Sequence, residues 1–199
     1  MARAPSFAAL ILAAGESTRM GREKALLPWH GSTFLGAHIE TLGLHADFVL
    51  VVAGKNYQAL QPIVDANGAF LAVNPEPELG QFSSLQTGLQ EILNRGRDAA
   101  IVALVDRPPA QSQTIACLRR AFQLAPPAIW AVVPEYAGCH GHPLVMGREM
   151  ITAFLRAEPT GNAREIEHAN QDHVRYVAVD DPFTVVNIDT PEDYTRITE

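Results

Sequence analysis

Short runs, continuously apolar or nearly so, alternate along this chain with longer segments of helical period. The apolar runs fall at 7–13, 47–52, 69–73, 99–104, 129–134 and 174–179. Each has the length of a strand and is apolar on both faces, as strands buried between two layers are. Helical patterns occupy 34–44, 84–94, 111–125, 148–157 and 191–197. Two of them carry start signals. Ser83 followed by Gln86 outlines a capping box just after Gly80, and Thr190-Pro191-Glu192-Asp193 offers a Thr N-cap, a proline at the first helical position and an acid at the third. Residues 138–143 read as a turn or loop between two strands or a strand and a short extended piece, and Pro126-Pro127 ends a helix. The alternation predicts an α/β fold: one domain with an open, mostly parallel sheet and helices on both faces. Ligands of such sheets gather beyond the carboxyl ends of the strands at the switch point, so chemistry is expected just after Ala13, Val73, Leu104 and Pro134.

Composition narrows the class. At 199 residues, 47% apolar and 19% charged, the chain has the size and balance of one large globular domain. Its net charge of −7 speaks against a nucleic-acid binder, though a local basic loop is still able to hold a phosphorylated small molecule. Cys117 and Cys139 lack metal-ligand spacing and read as idle thiols in a reducing compartment. The apolar stretch at 7–14 is too short to span a bilayer and lacks the layout of a secretory signal. A cytoplasmic protein with no membrane partner is expected.

The segment after the first apolar run carries the strongest chemical signal. Ala13, Ala14 and Gly15 are small enough for the backbone to approach a ligand and aim N–H groups at phosphate oxygens. Arg19 and Lys24 then add a planar fork and a mobile point charge. Neither a Walker A motif nor the G-x-G-x-x-G dinucleotide fingerprint is present, which disfavours a plain dinucleotide-binding fold. Asn74 ends the third apolar run, Ser83 and Ser84 open a helix, and Asp106 follows the fourth run ahead of Arg107-Pro108. A carboxylate at a strand end near phosphates suits a hard cation with oxygen ligands.

Residues 12–24 fit L-A-A-G-x-S-x-R-M-G-x-x-K at every specified position. This resembles the signature of the MobA-like NTP transferases, and among them more closely the MocA-type molybdenum cofactor cytidylyltransferases. Further blocks are similar: Asn74-Pro75 leading to Ser83-Ser84-Leu85, Asp106-x-Pro108, Gly141-His142-Pro143, a shortened Gly161-Asn162-Ala163-Arg164, and Asn187-Ile188-Asp189-Thr190-Pro191-Glu192-Asp193. The resemblance implies a nucleotide-diphospho-sugar transferase fold, Rossmann-like and akin to glycosyltransferase A. It places Leu12, Ala13, Ala14, Gly15, Arg19, Lys24, Asn74 and Ser84 on a nucleoside triphosphate. Arg19, Lys24 and Asp106 become catalytic, Asp106 and Asp189 ligands of Mg2+, and Arg107, His142 and Arg164 contacts to the acceptor.

The implied reaction is Mg2+-dependent transfer of a nucleoside monophosphate to a phosphorylated acceptor, with pyrophosphate leaving. In the family, L-A-A-G goes with CTP users and L-A-G-G with GTP users, so through Ala14 the resemblance implies CTP over GTP. The acceptor implied is molybdopterin carrying molybdenum, with a molybdoenzyme or chaperone as a further partner. Arg107 stands where the family has Gln or Met, and Val105 where Gly is common. Two alternatives therefore stay open: a sugar-1-phosphate or other phosphorylated-metabolite nucleotidyltransferase, and a non-catalytic relative that binds nucleotide or molybdopterin.

Overall fold

The computed structural model describes residues 5–198. The first half of the chain runs β1 (Phe7–Leu12), β2 (Pro28–Trp29), β3 (Ser32–Thr33), α1 (Phe34–Gly43), β4 (Val49–Ala53), α2 (Tyr57–Ala66), β5 (Phe70–Val73) and α3 (Gln81–Asn94). The second half runs β6 (Ala99–Leu104), α4 (Ser112–Gln123), β7 (Ala131–Tyr136), β8 (Cys139–His140), β9 (Leu144–Gly147), α5 (Arg148–Arg156), α6 (Ala163–Ala169), β10 (Val174–Ala178) and α7 (Pro191–Thr198). The main sheet has the order β10-β7-β9-β6-β1-β4-β5, with β8 paired to β7, and β2 and β3 form a separate ribbon.

The expected open, mostly parallel sheet is present. β1 pairs in parallel with β4 and β6, β4 with β5, and β7 with β10. β9 is antiparallel to both β6 and β7, so β1, β4, β5, β6, β7 and β10 all end on one edge. From β1 the chain moves outward through β4 to β5, then returns to β6 on the other side of β1. The switch point therefore lies between β1 and β6, where Leu12 pairs with Leu104.

Burial follows the period-two alternation of the strands. Phe7, Ala9, Ile11 and Ala13 face a core with Leu35 and Ile39 of α1, Leu60 of α2 and Ile115 of α4. Ala8, Leu10 and Leu12 face the opposite core with Leu85 and Leu89 of α3 and Met150 and Phe154 of α5. Gly88 lets α3 lie directly on the sheet, because a Cβ there would collide with Leu10 and Val52. A third cluster joins Met20, Leu27, Trp29, Phe34 and Ile188. It fastens the loop after β1 to the segment before α7.

Three expectations change. The helix expected from Ser84 begins at Gln81, with Gly80 as N-cap at φ 99°. Ser83 makes no capping box: its hydroxyl donates back to the Gly80 carbonyl at 2.8 Å, while Gln86 donates to the Phe154 and Ala157 carbonyls. α2 and α6 lay outside the helical patterns because their apolar stripes are thin. Only Leu60 and Val64 are buried in α2, which also contains Pro62, and no residue of α6 is buried. The turn or loop expected at 138–143 between two strands does join β7 to β9, through the two-residue β8 and a cis His142-Pro143 bond. The box before α7 is present: Asp193 accepts from Thr190 N–H at 3.0 Å, and Thr190 Oγ1 accepts from Asp193 N–H at 3.3 Å. Among the described residues no helix is long and apolar enough to cross a membrane.

Candidate active site

The loop after β1 divides between sheet and cleft. Ala13 is buried and its N–H donates to the Val52 carbonyl at 2.8 Å, so that amide faces β4 and not a ligand, contrary to expectation. Beyond it, the N–H groups of residues 14–19 donate to no acceptor among the described residues. Ser17 adopts φ 50°, the left-handed turn that makes consecutive amides converge. Ser17 Oγ accepts from Lys24 N–H at 3.1 Å and donates to Glu23 at 3.4 Å.

Sequence reasoning missed the clamp on this loop, which is Asn56. Its amide donates to the Ala13 carbonyl at 2.8 Å and to Glu23 Oε2 at 3.0 Å, while its Oδ1 accepts from Gly54 N–H at 3.0 Å. The carboxyl end of β4 was not among the strand ends expected to carry chemistry, yet it also delivers Lys55 to the cleft.

The charged centre lies across the switch point. Lys24 is buried, and its Nζ stands 2.8 Å from Asp189 Oδ1. Arg19 reaches the same oxygen at 3.1 Å but is 70% exposed, so its pairing contributes little. Asp106 follows β6 closely, and its carbonyl accepts from Ile188 N–H at 2.7 Å, tying the two acidic segments together. Burial raises the pKa of the Asp106 carboxyl; Lys24 and Arg107 oppose that shift, and Asp189 adds to it. The sequence thus brings Lys24, Asp106 and Asp189 into one electrostatic group.

Two cavities flank this centre. One of about 370 Å³ lies between the loop and the start of α3, lined by Leu12, Ala14, Gly15, Lys55, Gln81 and Ser84 among others. The other, about 830 Å³, extends from Leu12 past Asp106 and Arg107 to His142, Asn162 and Arg164. Arg19, Lys24 and Asp189 line neither cavity. Asn74 also departs from its expected nucleotide contact. It is buried, donates to Ser83 and Ser84 hydroxyls at 2.8 and 2.9 Å and accepts from Glu76 N–H. With its amide spent inside the protein, its part is to hold Ser84 at the cavity wall.

Among the described residues, three buried polar atoms lining the larger cavity have no hydrogen-bond partner: Asp106 Oδ1, Arg107 Nε and His142 Nδ1. Buried polar groups are nearly always satisfied, so a bound ligand or ordered water in the cavity would complete these three. His142 as a residue is half-buried, but its Nδ1 is sealed from solvent. Burial and the Arg107 charge lower its pKa to about 3, which keeps the ring neutral. Arg164 is exposed at the rim and acts electrostatically on Arg107 and Glu167.

Behind the Asp106-Arg107 turn, His38 is buried in α1 and donates Nε2–H to the Arg107 carbonyl at 3.0 Å. Burial lowers its pKa from 6.5 to about 4. The unfolded chain takes up a proton that the folded chain refuses, so stability that is full above pH 6.5 is lost as pH falls. By pH 4 the loss amounts to about 3 kcal/mol. His38→Gln keeps a donor but cannot titrate. Urea unfolding between pH 7 and 4 is expected to show the variant losing about 3 kcal/mol less than wild type; equal losses would clear His38 of the effect.

A family model for the MobA-like NTP transferase domain matches residues 9–175. The chain is 24% identical over 191 residues to the molybdenum cofactor cytidylyltransferase of Escherichia coli K12, spanning 96% of this chain and 94% of that protein. It is 29% identical over 196 residues to the molybdenum cofactor guanylyltransferase of Xanthomonas euvesicatoria, spanning 94% and 92%. Rv0371c of Mycobacterium tuberculosis H37Rv has a similar structure, with a TM-score of 0.83 at 26% identity over 98% of both chains. The same protein has been solved in complex with manganese, a structure with a TM-score of 0.76 at 24% identity over 96% of this chain and 97% of that one.

Proposed function

The chain belongs to the MobA-like NTP transferase family, as a nucleotidyltransferase related to the molybdenum cofactor cytidylyl- and guanylyltransferases, and on that premise we propose that it transfers CMP from CTP to the phosphate of molybdopterin. The observation that carries this reading is the orphaned Asp106 carboxylate oxygen beside the Lys24–Asp189 pair at the β1–β6 switch point.

Asp106 and Asp189 offer hard oxygen donors that fit a divalent ion, Mg2+ in this proposal, and the unsatisfied Asp106 Oδ1 lacks only such a partner. Among the described residues no third Asp, Glu, His or Cys joins them, so phosphate oxygens and water must complete the coordination. Bound there, the ion would neutralise charge on the α-phosphate and the leaving pyrophosphate.

The remaining work falls to side chains and backbone. The unpaired amides of residues 14–19, with Arg19 and Lys24, hold the β- and γ-phosphates in line. An oxygen of the acceptor phosphate attacks the α-phosphorus as the bond to the bridging oxygen breaks. That oxygen is already ionised, so neutral His142 has no proton to remove and serves to orient the acceptor with Arg107 and Arg164. Support for CTP comes from Ala14, which lines the smaller cavity, and for a bulky acceptor from the volume of the larger one.

The test is pyrophosphate release by the purified protein with Mg2+, molybdopterin and each of the four nucleoside triphosphates in turn. CTP is expected to give the fastest release, with EDTA abolishing it. In parallel, CTP with Mg2+ at 100 times its Kd should stabilise the fold by about 2.7 kcal/mol. Release with sugar-1-phosphates but not molybdopterin would select the other acceptor class. Binding of nucleotide without release under any condition would make the chain a binding protein.

A further inference from the structure

We infer that Asp181 is a positioning residue which, through the turn it anchors, fixes Arg107 and His142 on the acceptor side of the cleft. This rests on the proposed function for what those two side chains meet, while their anchoring stands on geometry alone. Asp181 is fully buried and makes no ion pair among the described residues. Its carboxylate is satisfied instead by three donors from two segments. Oδ2 accepts from Gln111 N–H at 2.8 Å and from Thr114 Oγ1 at 2.9 Å, both at the start of α4. Oδ1 accepts from Phe183 N–H at 3.2 Å, within the turn of 3-10 helix Pro182–Thr184. Thr184, also fully buried, closes the turn by donating its hydroxyl to the Asp181 carbonyl at 2.8 Å.

The turn presents one group to the site, the Thr184 carbonyl. It accepts from Arg107 Nη1 and from His142 N–H, the latter at 2.9 Å. Gly141 packs directly against the same oxygen, and a Cβ there would overlap it. One main-chain oxygen thus joins the loop after β6 to the turn between β8 and β9. The place of that oxygen depends on a carboxylate from a third segment. Packing alone would not call for a buried anion, which costs stability unless fully bonded. Accepting from α4 and from its own turn at once takes two acceptor oxygens. Asparagine has one, and its NH2 would face another donor.

Two variants disturb the carbonyl from opposite sides. Asp181→Asn releases one end of the turn, and Gly141→Ala pushes on the carbonyl directly. With CTP, Mg2+ and molybdopterin, each is expected to raise the acceptor KM at least about tenfold, since small misplacements of orienting groups are costly. The Kd of CTP with Mg2+, measured by calorimetry, should stay within about twofold, because no residue of the loop after β1 is touched. Crystal structures of both should show the Arg107 guanidinium off the Thr184 carbonyl. The inference is overturned if acceptor KM is unchanged, if CTP affinity falls as much as acceptor affinity, or if Arg107 and His142 stay in place. If Asp181→Asn does not fold, Gly141→Ala decides. If wild type releases no pyrophosphate with molybdopterin, the proposed acceptor fails by itself, and the crystal structures still decide the anchoring.

Discussion

Asp106→Asn is expected to lower kcat at least about a thousandfold while leaving the melting temperature level or slightly higher. The two effects share one cause. The Asp106 carboxyl is partly buried and its Oδ1 accepts no hydrogen bond. Burial therefore raises its pKa, with Lys24 and Arg107 only partly offsetting the shift and Asp189 reinforcing it. A carboxyl whose folded pKa lies above its unfolded one costs stability once ionised. The cost sets in as pH rises from the ordinary carboxylate value through the raised one. Asparagine removes that cost, keeps the shape, and leaves the Asp106 backbone bond from Ile188 untouched. It also removes the anionic oxygen on which the proposed chemistry depends. Scanning calorimetry and pyrophosphate release on the same preparation test both halves. Wild-type turnover in the variant would end the metal-ligand assignment, and a collapse in melting temperature would make Asp106 a structural residue.

The fold was largely legible because its central strands β1, β4 and β6 are buried on both faces and therefore read as unbroken apolar runs, while the edge strands β5 and β10 are largely exposed. β6 matches its run at both ends, and β1 differs only at Ala13, which follows the strand but still donates to Val52. β9 escaped because a four-residue antiparallel strand carries no periodicity of its own, and its partners, β6 and β7, are set by the sheet. α2 escaped because two buried residues, Leu60 and Val64, are too few to mark a face. Within the site, the sequence singled out Lys24, Asp106 and Asp189, and the fold brings the three together as one charged group. Asn74 was expected on the nucleotide, yet its polar atoms bond Ser83, Ser84 and Glu76: a polar side chain at a strand end satisfies either a ligand or its own turn, and only hydrogen-bond partners distinguish the two. Asn56 and Asp181 left no signal, since each acts on backbone groups brought near by the fold.

Lys24→Ala is expected to raise the Kd of CTP with Mg2+ by about 10-fold or more, as a charge-assisted hydrogen bond in a largely enclosed site contributes about 1.5–3 kcal/mol. Its side chain is 11% exposed, against 70% for Arg19, so water replaces its phosphate contact poorly. The loss has a second source. Lys24 is the principal cation opposing the two carboxylates, and without it Asp106 and Asp189 repel each other with only Arg107 and the exposed Arg19 to offset them. A double-mutant cycle separates the two. If Lys24 acts on phosphate alone, adding Asp189→Ala should multiply the losses. If Lys24 also restrains Asp189, the double variant should bind CTP no more than a few-fold worse than the poorer single variant, because residues sharing one ion pair are not additive. The 2.8 Å pair predicts the second result. A Kd for CTP unchanged by Lys24→Ala would remove the loop from the nucleotide site, and with it the reading of Gly15 to Lys24 as a phosphate cradle.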